Sequence, residues 1–198
     1  MTTTTATMAD LRSDESRRDA DLRRLGLWMF LATVTMLFAA FTSAYVVRRS
    51  GSDWQRVSLP PTLWLNTVIL MASSLVLEGA NWFGSRRHWR ASSVAFIVAL
   101  VLGVGFLVGQ AVAWRQLVAV GVYLPSNPFA SFFYMMTGAH AVHIVAALAV
   151  IAWGMVTTMN GSGRRQPRRW DTTMGVCRTF WHYLGGVWLF LFLLLSVY

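Results

Sequence analysis

The sequence predicts an all-α membrane protein, a bundle of five transmembrane helices with the N-terminus cytoplasmic and the C-terminus on the opposite side. Three observations carry that prediction. Hydrophobic residues fill 56% of the 198 positions and charged residues only 13%, a balance too apolar for a soluble domain of this length. Five stretches reach the roughly 20 apolar residues that a helix needs to cross the hydrocarbon core. The 17 basic residues are all arginine and fall mainly in the gaps between those stretches, so the net charge of +9 reads as membrane topology and not as a nucleic-acid surface.

Taken in order, the chain opens with a charged tail, residues 1–24, in which a threonine run precedes Asp10 to Arg24. Without an apolar core this tail is not a signal peptide. Asp14 with Arg18 and Asp19 with Arg23 stand four apart, a spacing that supports a short surface helix leading into the membrane. The transmembrane domain, residues 25–198, follows, with spans at about 25–47, 63–84, 91–114, 132–156 and 179–198. Gly51 and the Pro60-Pro61 pair mark the first connection, Pro125 and Pro128 the third, and Gly161, Gly163 and Pro167 the fourth. The tail and alternate connections hold 13 arginines against 4 on the other side, which places the N-terminus in the cytoplasm by the positive-inside rule. Trp28, Trp64, Trp82, Trp89, Trp114, Trp153 and Trp181 lie near predicted helix ends, where tryptophan anchors a helix at the interface. No repeat, second domain or soluble module is present in the pattern.

Ionisable groups are costly in hydrocarbon and mark candidate sites. Here they are Glu78, His140, His143 and His182, with Gln110 as a polar companion. His140 and His143, three apart, share one helix face and could be read as a metal or haem ligand pair. A closed site needs more ligands at the same depth, and Cys177 is the only cysteine, so catalytic, cofactor and metal residues are all expected to be absent. At ~1.5 Å of rise per residue, Gln110 falls within about 4 Å in depth of His140, and Glu78 within about 5 Å of His182. Those pairs are the expected interhelical hydrogen bonds, and the five residues are read as buried polar packing. Gly105 and Gly109 form a small-xxx-small step suited to close helix approach. Phosphate loops, dinucleotide fingerprints and hydrolase triads are missing, and no pair of proline-broken helices suggests a transporter.

Four strings then carry a family resemblance. LGLWMFLATVTMLFAAFTSAYVV from Leu25, LNTVILMASS at Leu65 to Ser74, SFFYMMTGAHAVHI at Ser131 to Ile144 and FWHYLGGVWLFLF at Phe180 to Phe192 resemble, in order, the helices of subunit III of the haem-copper terminal oxidases. The resemblance implies a five-helix form lacking the first two helices of longer members. It also implies a non-catalytic role: haem and copper belong to the partner catalytic subunit, subunit I, beside which subunit III packs while cradling structural phospholipid and sustaining proton uptake. Two acids common in that family are replaced here, one by Val34 between Thr33 and Thr35 and one by Gly185, which puts a proton-antenna role in doubt.

The expected function is therefore a subunit III of a bacterial respiratory haem-copper oxidase, in the cytoplasmic (inner) membrane, with oxidase subunit I, other respiratory subunits and membrane lipids as partners and no nucleic acid. Arg48, Arg49, Arg86 and Arg87 are the expected lipid-phosphate or partner contacts. The rivals are an accessory subunit of nitric oxide reductase or of a quinol-oxidising complex, and a small haem-b membrane cytochrome using His140, His143 or His182.

Overall fold

Long apolar runs free of internal proline become helices in the computed structural model, which describes residues 2–55, 57–159 and 167–197. Five are present among the described residues, with no strand: α1 (Thr2–Arg48), α2 (Thr62–Ser85), α3 (Trp89–Ala119), α4 (Pro128–Met159) and α5 (Pro167–Val197). Each contains a stretch long and apolar enough to cross a membrane. The prolines sit at helix entrances: Pro61 precedes α2, and Pro128 and Pro167 open α4 and α5. There the missing N–H costs no intrahelical bond.

That position corrects two expected boundaries. α4 begins at Pro128 and not at 132, because the Asn127 side-chain oxygen accepts the Ala130 N–H at 2.8 Å and caps the first turn. α5 begins at Pro167 and not at 179, so Arg178 is a residue of the membrane-crossing helix and not of a loop. α3 also runs on to Ala119. The Asp14–Arg18 and Asp19–Arg23 pairings, and residues 160–166 of the last connection, lie outside the described side chains and residues.

α2 and α3 form the closest pair. A short turn joins them, with Arg87 in the left-handed region at φ 61°. Along their seam, buried polar side chains donate to carbonyls of the facing helix: Asn66 Nδ2 to Phe106 O at 3.1 Å, Ser73 Oγ to Ala99 O at 3.1 Å and Ser92 Oγ to Ala80 O at 2.9 Å. In hydrocarbon, helix association rests on such bonds and on close packing, because lipid tails are as apolar as leucine. Gly109 makes the approach possible, since a Cβ there would collide with the Asn66 side chain. Gly105 faces open space, so the small-residue step works at one of its two positions. Gly103 does what Gly105 does not, admitting Leu148 and Trp181.

This notch explains a misplaced anchor. Trp181 is 1% exposed, a core residue and not part of an interfacial belt, whereas Trp28, Trp64, Trp82 and Trp153 are exposed as expected. Trp188 is buried with it and donates Nε1–H to Thr67 Oγ1 at 3.0 Å, tying α5 to α2. α1 stands apart from α2 and α3 and leans on α4 and α5. Its anchors are the Thr35 Oγ1 to Tyr183 hydroxyl bond at 2.6 Å and the Phe30–Phe180 edge contact at 5.4 Å, with Val34 buried between them.

Candidate functional site

The expected polar residues separate into a sealed group and an open one. His140, on α4, is fully buried among the rings of Trp188 at 5.4 Å, Phe106 at 6.0 Å and Phe38 at 6.3 Å. Gln110, on α3, is equally buried. Among the described residues neither side chain has a hydrogen-bond partner, so the expected Gln110–His140 bond is not made. Equal depth is necessary for such a bond but not sufficient, because rotation about each helix axis decides which side chains meet. His143 is half-buried; it donates Nδ1–H to Ala139 O of its own helix at 2.7 Å and packs on Phe38 and Phe30. Both histidines therefore touch Phe38, as their spacing predicts, but they do not converge on one point. Among the described residues no three His, Cys, Asp or Glu side chains are grouped closely enough to hold a metal ion.

The second group does assemble. Glu78 Oε1 on α2 accepts His182 Nε2–H at 2.7 Å and Arg178 Nε–H at 2.9 Å, both from α5. The Glu78–His182 pairing is the one the depths predict. Arg178 is the residue that sequence reasoning missed, having been assigned to a loop. Its signal was present: Arg178 and His182 are four apart and so share a helix face. Glu78 and His182 are not buried packing residues as expected; the three side chains are 38–40% exposed. The cause is architectural, since α2 and α5 meet edge to edge at this height and no described helix covers their outer side.

Of the arginines expected to meet lipid or partner, Arg48 is engaged in a two-pronged ion pair with Asp53, Nη1 to Oδ1 at 2.7 Å. The guanidinium holds the exposed Asp53 carboxyl below the ordinary carboxylate range, mainly by that hydrogen bond. Arg86 lies over the Trp82 ring at 4.3 Å, and Arg87 is exposed beside it. A separate apolar groove of about 460 Å3 runs between α1, α4 and α5, lined by Leu27, Phe30, Val150, Trp153 and Phe180, with Arg23 at one end.

The fold and these contacts define a multi-pass helical membrane protein in which Glu78, Arg178 and His182 form a part-exposed ion cluster between α2 and α5. The family follows from comparison: the model for cytochrome c oxidase subunit III matches residues 17–198, and the chain belongs to that family. It is similar to cytochrome c oxidase subunit 3 of Thermostichus vulcanus, 27% identical over 188 residues covering 93% of this chain and 91% of that one. It also resembles the probable cytochrome c oxidase subunit 3 of Mycobacterium tuberculosis (strain ATCC 25618 / H37Rv), 29% identical over 184 residues, 85% of this chain and 84% of that one. A third relative is the cytochrome c oxidase subunit 3 of Bacillus sp. (strain PS3), 27% identical over 173 residues, with 85% and 82% covered.

Proposed function

We propose that this subunit III is a non-catalytic brace for the oxygen-reducing subunit I of a bacterial respiratory oxidase in the cytoplasmic membrane. Haem and copper reside in that partner. The observation that carries the reading is the family match over residues 17–198. It is supported by the way this chain uses its polar groups: those in the α2–α3 seam are bonded to neighbouring backbone, which is scaffold chemistry. The arginine asymmetry between the two ends supports an N-terminus in the cytoplasm and a C-terminus outside.

Phospholipid is the second partner in this reading. The α1–α4–α5 groove, apolar along its length with the Arg23 guanidinium at its end, suits an acyl chain below an anionic headgroup. Arg49, Arg86 and Arg87 serve headgroups at the two interfaces, while Arg48, held by Asp53, shapes the loop instead.

Purification in mild detergent, followed by subunit identification and haem analysis, tests the reading. The expected result is recovery with a larger haem- and copper-bearing subunit whose haem content survives deletion of this chain but whose turnover lifetime shortens. Recovery as a lone homo-oligomer, or an unchanged lifetime after deletion, overturns it.

A further inference from the structure

Glu78 lies seven residues inside Ser85, the last residue of α2, or about 10 Å along the axis. Arg178 lies eleven residues inside Pro167, the first residue of α5, or about 16 Å. The cluster therefore lies well inside two helices that are long and apolar enough to cross a membrane, at a depth where a span meets hydrocarbon, and its side chains are 38–40% exposed. Its bonding is also incomplete. Arg178 uses Nε alone, and among the described residues neither its Nη groups nor Glu78 Oε2 has a partner. Charged groups at this depth require polar company, and acyl chains offer none. An arginine this near the interface ordinarily extends toward the headgroups; Arg178 is instead bonded to Glu78 through Nε.

The surrounding surface has the shape of a helix seat. Gly79 on α2 and Gly186 on α5 flank the cluster, and a Cβ at either would meet nothing within 4 Å. Leu75, one turn along α2, is 75% exposed. Small residues beside a ridge let a second backbone approach closely, the geometry by which membrane helices associate. The outer side of α3 differs: Val101, Val104 and Val108 are exposed, and no charged residue lies between Arg90 and Arg115, which is what a lipid-facing surface requires.

We propose that the outer face of the α2–α5 groove, centred on Glu78, Arg178 and His182, is the docking seat for a transmembrane helix of the catalytic partner subunit, one that presents a carboxylate or free carbonyl to the Arg178 guanidinium. This rests on the reading of the chain as a subunit of a membrane complex. A lipid headgroup is the competing occupant, and the experiment separates the two.

A photo-crosslinking amino acid is placed at Leu75, or at Val101 as the control, in the full chain expressed with its complex in native membranes. The expected result is an adduct with the haem-bearing subunit from position 75 and lipid adducts alone from position 101. Gly186→Leu adds bulk that the chain's own fold accommodates and should lower recovery of the haem-bearing subunit at least ten-fold, whereas Gly105→Leu, at an equally open glycine on α3, leaves it unchanged. Arg178→Gln should weaken the position-75 adduct. Lipid adducts alone at position 75 from an intact complex, or equal recovery with Gly186→Leu and Gly105→Leu, overturn the seat while leaving the subunit reading standing. Failure of the unmodified chain to bring any haem-bearing subunit overturns both.

Discussion

The α2–α3 seam and the α2–α5 groove use the same helix α2 in opposite ways. In the seam, Asn66, Ser73 and Ser92 are buried and each is bonded to a carbonyl across the interface. In the groove, Glu78 gathers two donors on one oxygen, and all three partners are part-exposed. The seam is complete within the chain; the groove is complete only on its inner side. Neutral polar groups satisfied by backbone hold a fold together at modest cost, whereas ionisable groups left half open in hydrocarbon point beyond it.

The largest expected effect tests the tightness of the seam. Gly109→Leu drives a side chain into Asn66 and should destabilise the chain by about 1–3 kcal/mol, the usual range for overpacking. Gly79→Leu, which meets open space, should stay within about 0.5 kcal/mol of the unmodified chain. Reversible unfolding in mixed micelles reads both, and equal losses would dissolve the contrast between the two faces of α2.

A smaller effect is expected from Asn66→Ala, which removes one interhelical hydrogen bond and should cost about 1 kcal/mol in the same assay. No loss would mean that the seam is held by shape alone. In the groove, a double-mutant cycle of Glu78→Gln and His182→Ala should show a coupling of about 0.6 kcal/mol, the average for polar pairs between membrane helices. Strict additivity would remove the pairing altogether, and a coupling of several kcal/mol would show that the groove is sealed in the assembled complex.

The smallest effect belongs to the exposed loop after α1. Asp53 is held below its ordinary range by Arg48, so the pair's contribution is fully present above the unperturbed carboxylate range, near pH 4. It is lost as pH falls through the depressed folded value. The hydrogen-exchange protection factor of the Trp54 amide, bonded to Gly51 O at 3.2 Å, should fall below about pH 4, and Asp53→Asn should remove that fall. A pH response that survives the substitution would assign it to another group.

The five spans were legible because spanning a bilayer imposes a length and a polarity that composition reveals directly. The Glu78–His182 pair was legible for a related reason: rise per residue converts sequence position into depth, and two polar groups at one depth seek each other. The same arithmetic failed for Gln110 and His140, which share a depth but do not bond. Arg178 escaped notice because four arginines in the preceding connection drew the loop boundary past it, although α5 had already begun. Trp181 was read as an anchor from its distance to a helix end, and only the Gly103 notch makes it a core residue.

By itself the sequence determined the number of helices, the end rich in arginine and, through four ordered motifs, the family. Those properties depend on one-dimensional quantities: run length, charge position and local residue order. Tertiary structure alone decided which face of each helix is covered. It turned Gly109 inward and Gly105 outward, buried His140 among aromatic rings, and brought Arg178 to Glu78 across a groove left open on one side. Helix rotation and the identity of neighbours settle those outcomes, and they depend on every contact in the bundle at once, which no single stretch of sequence records.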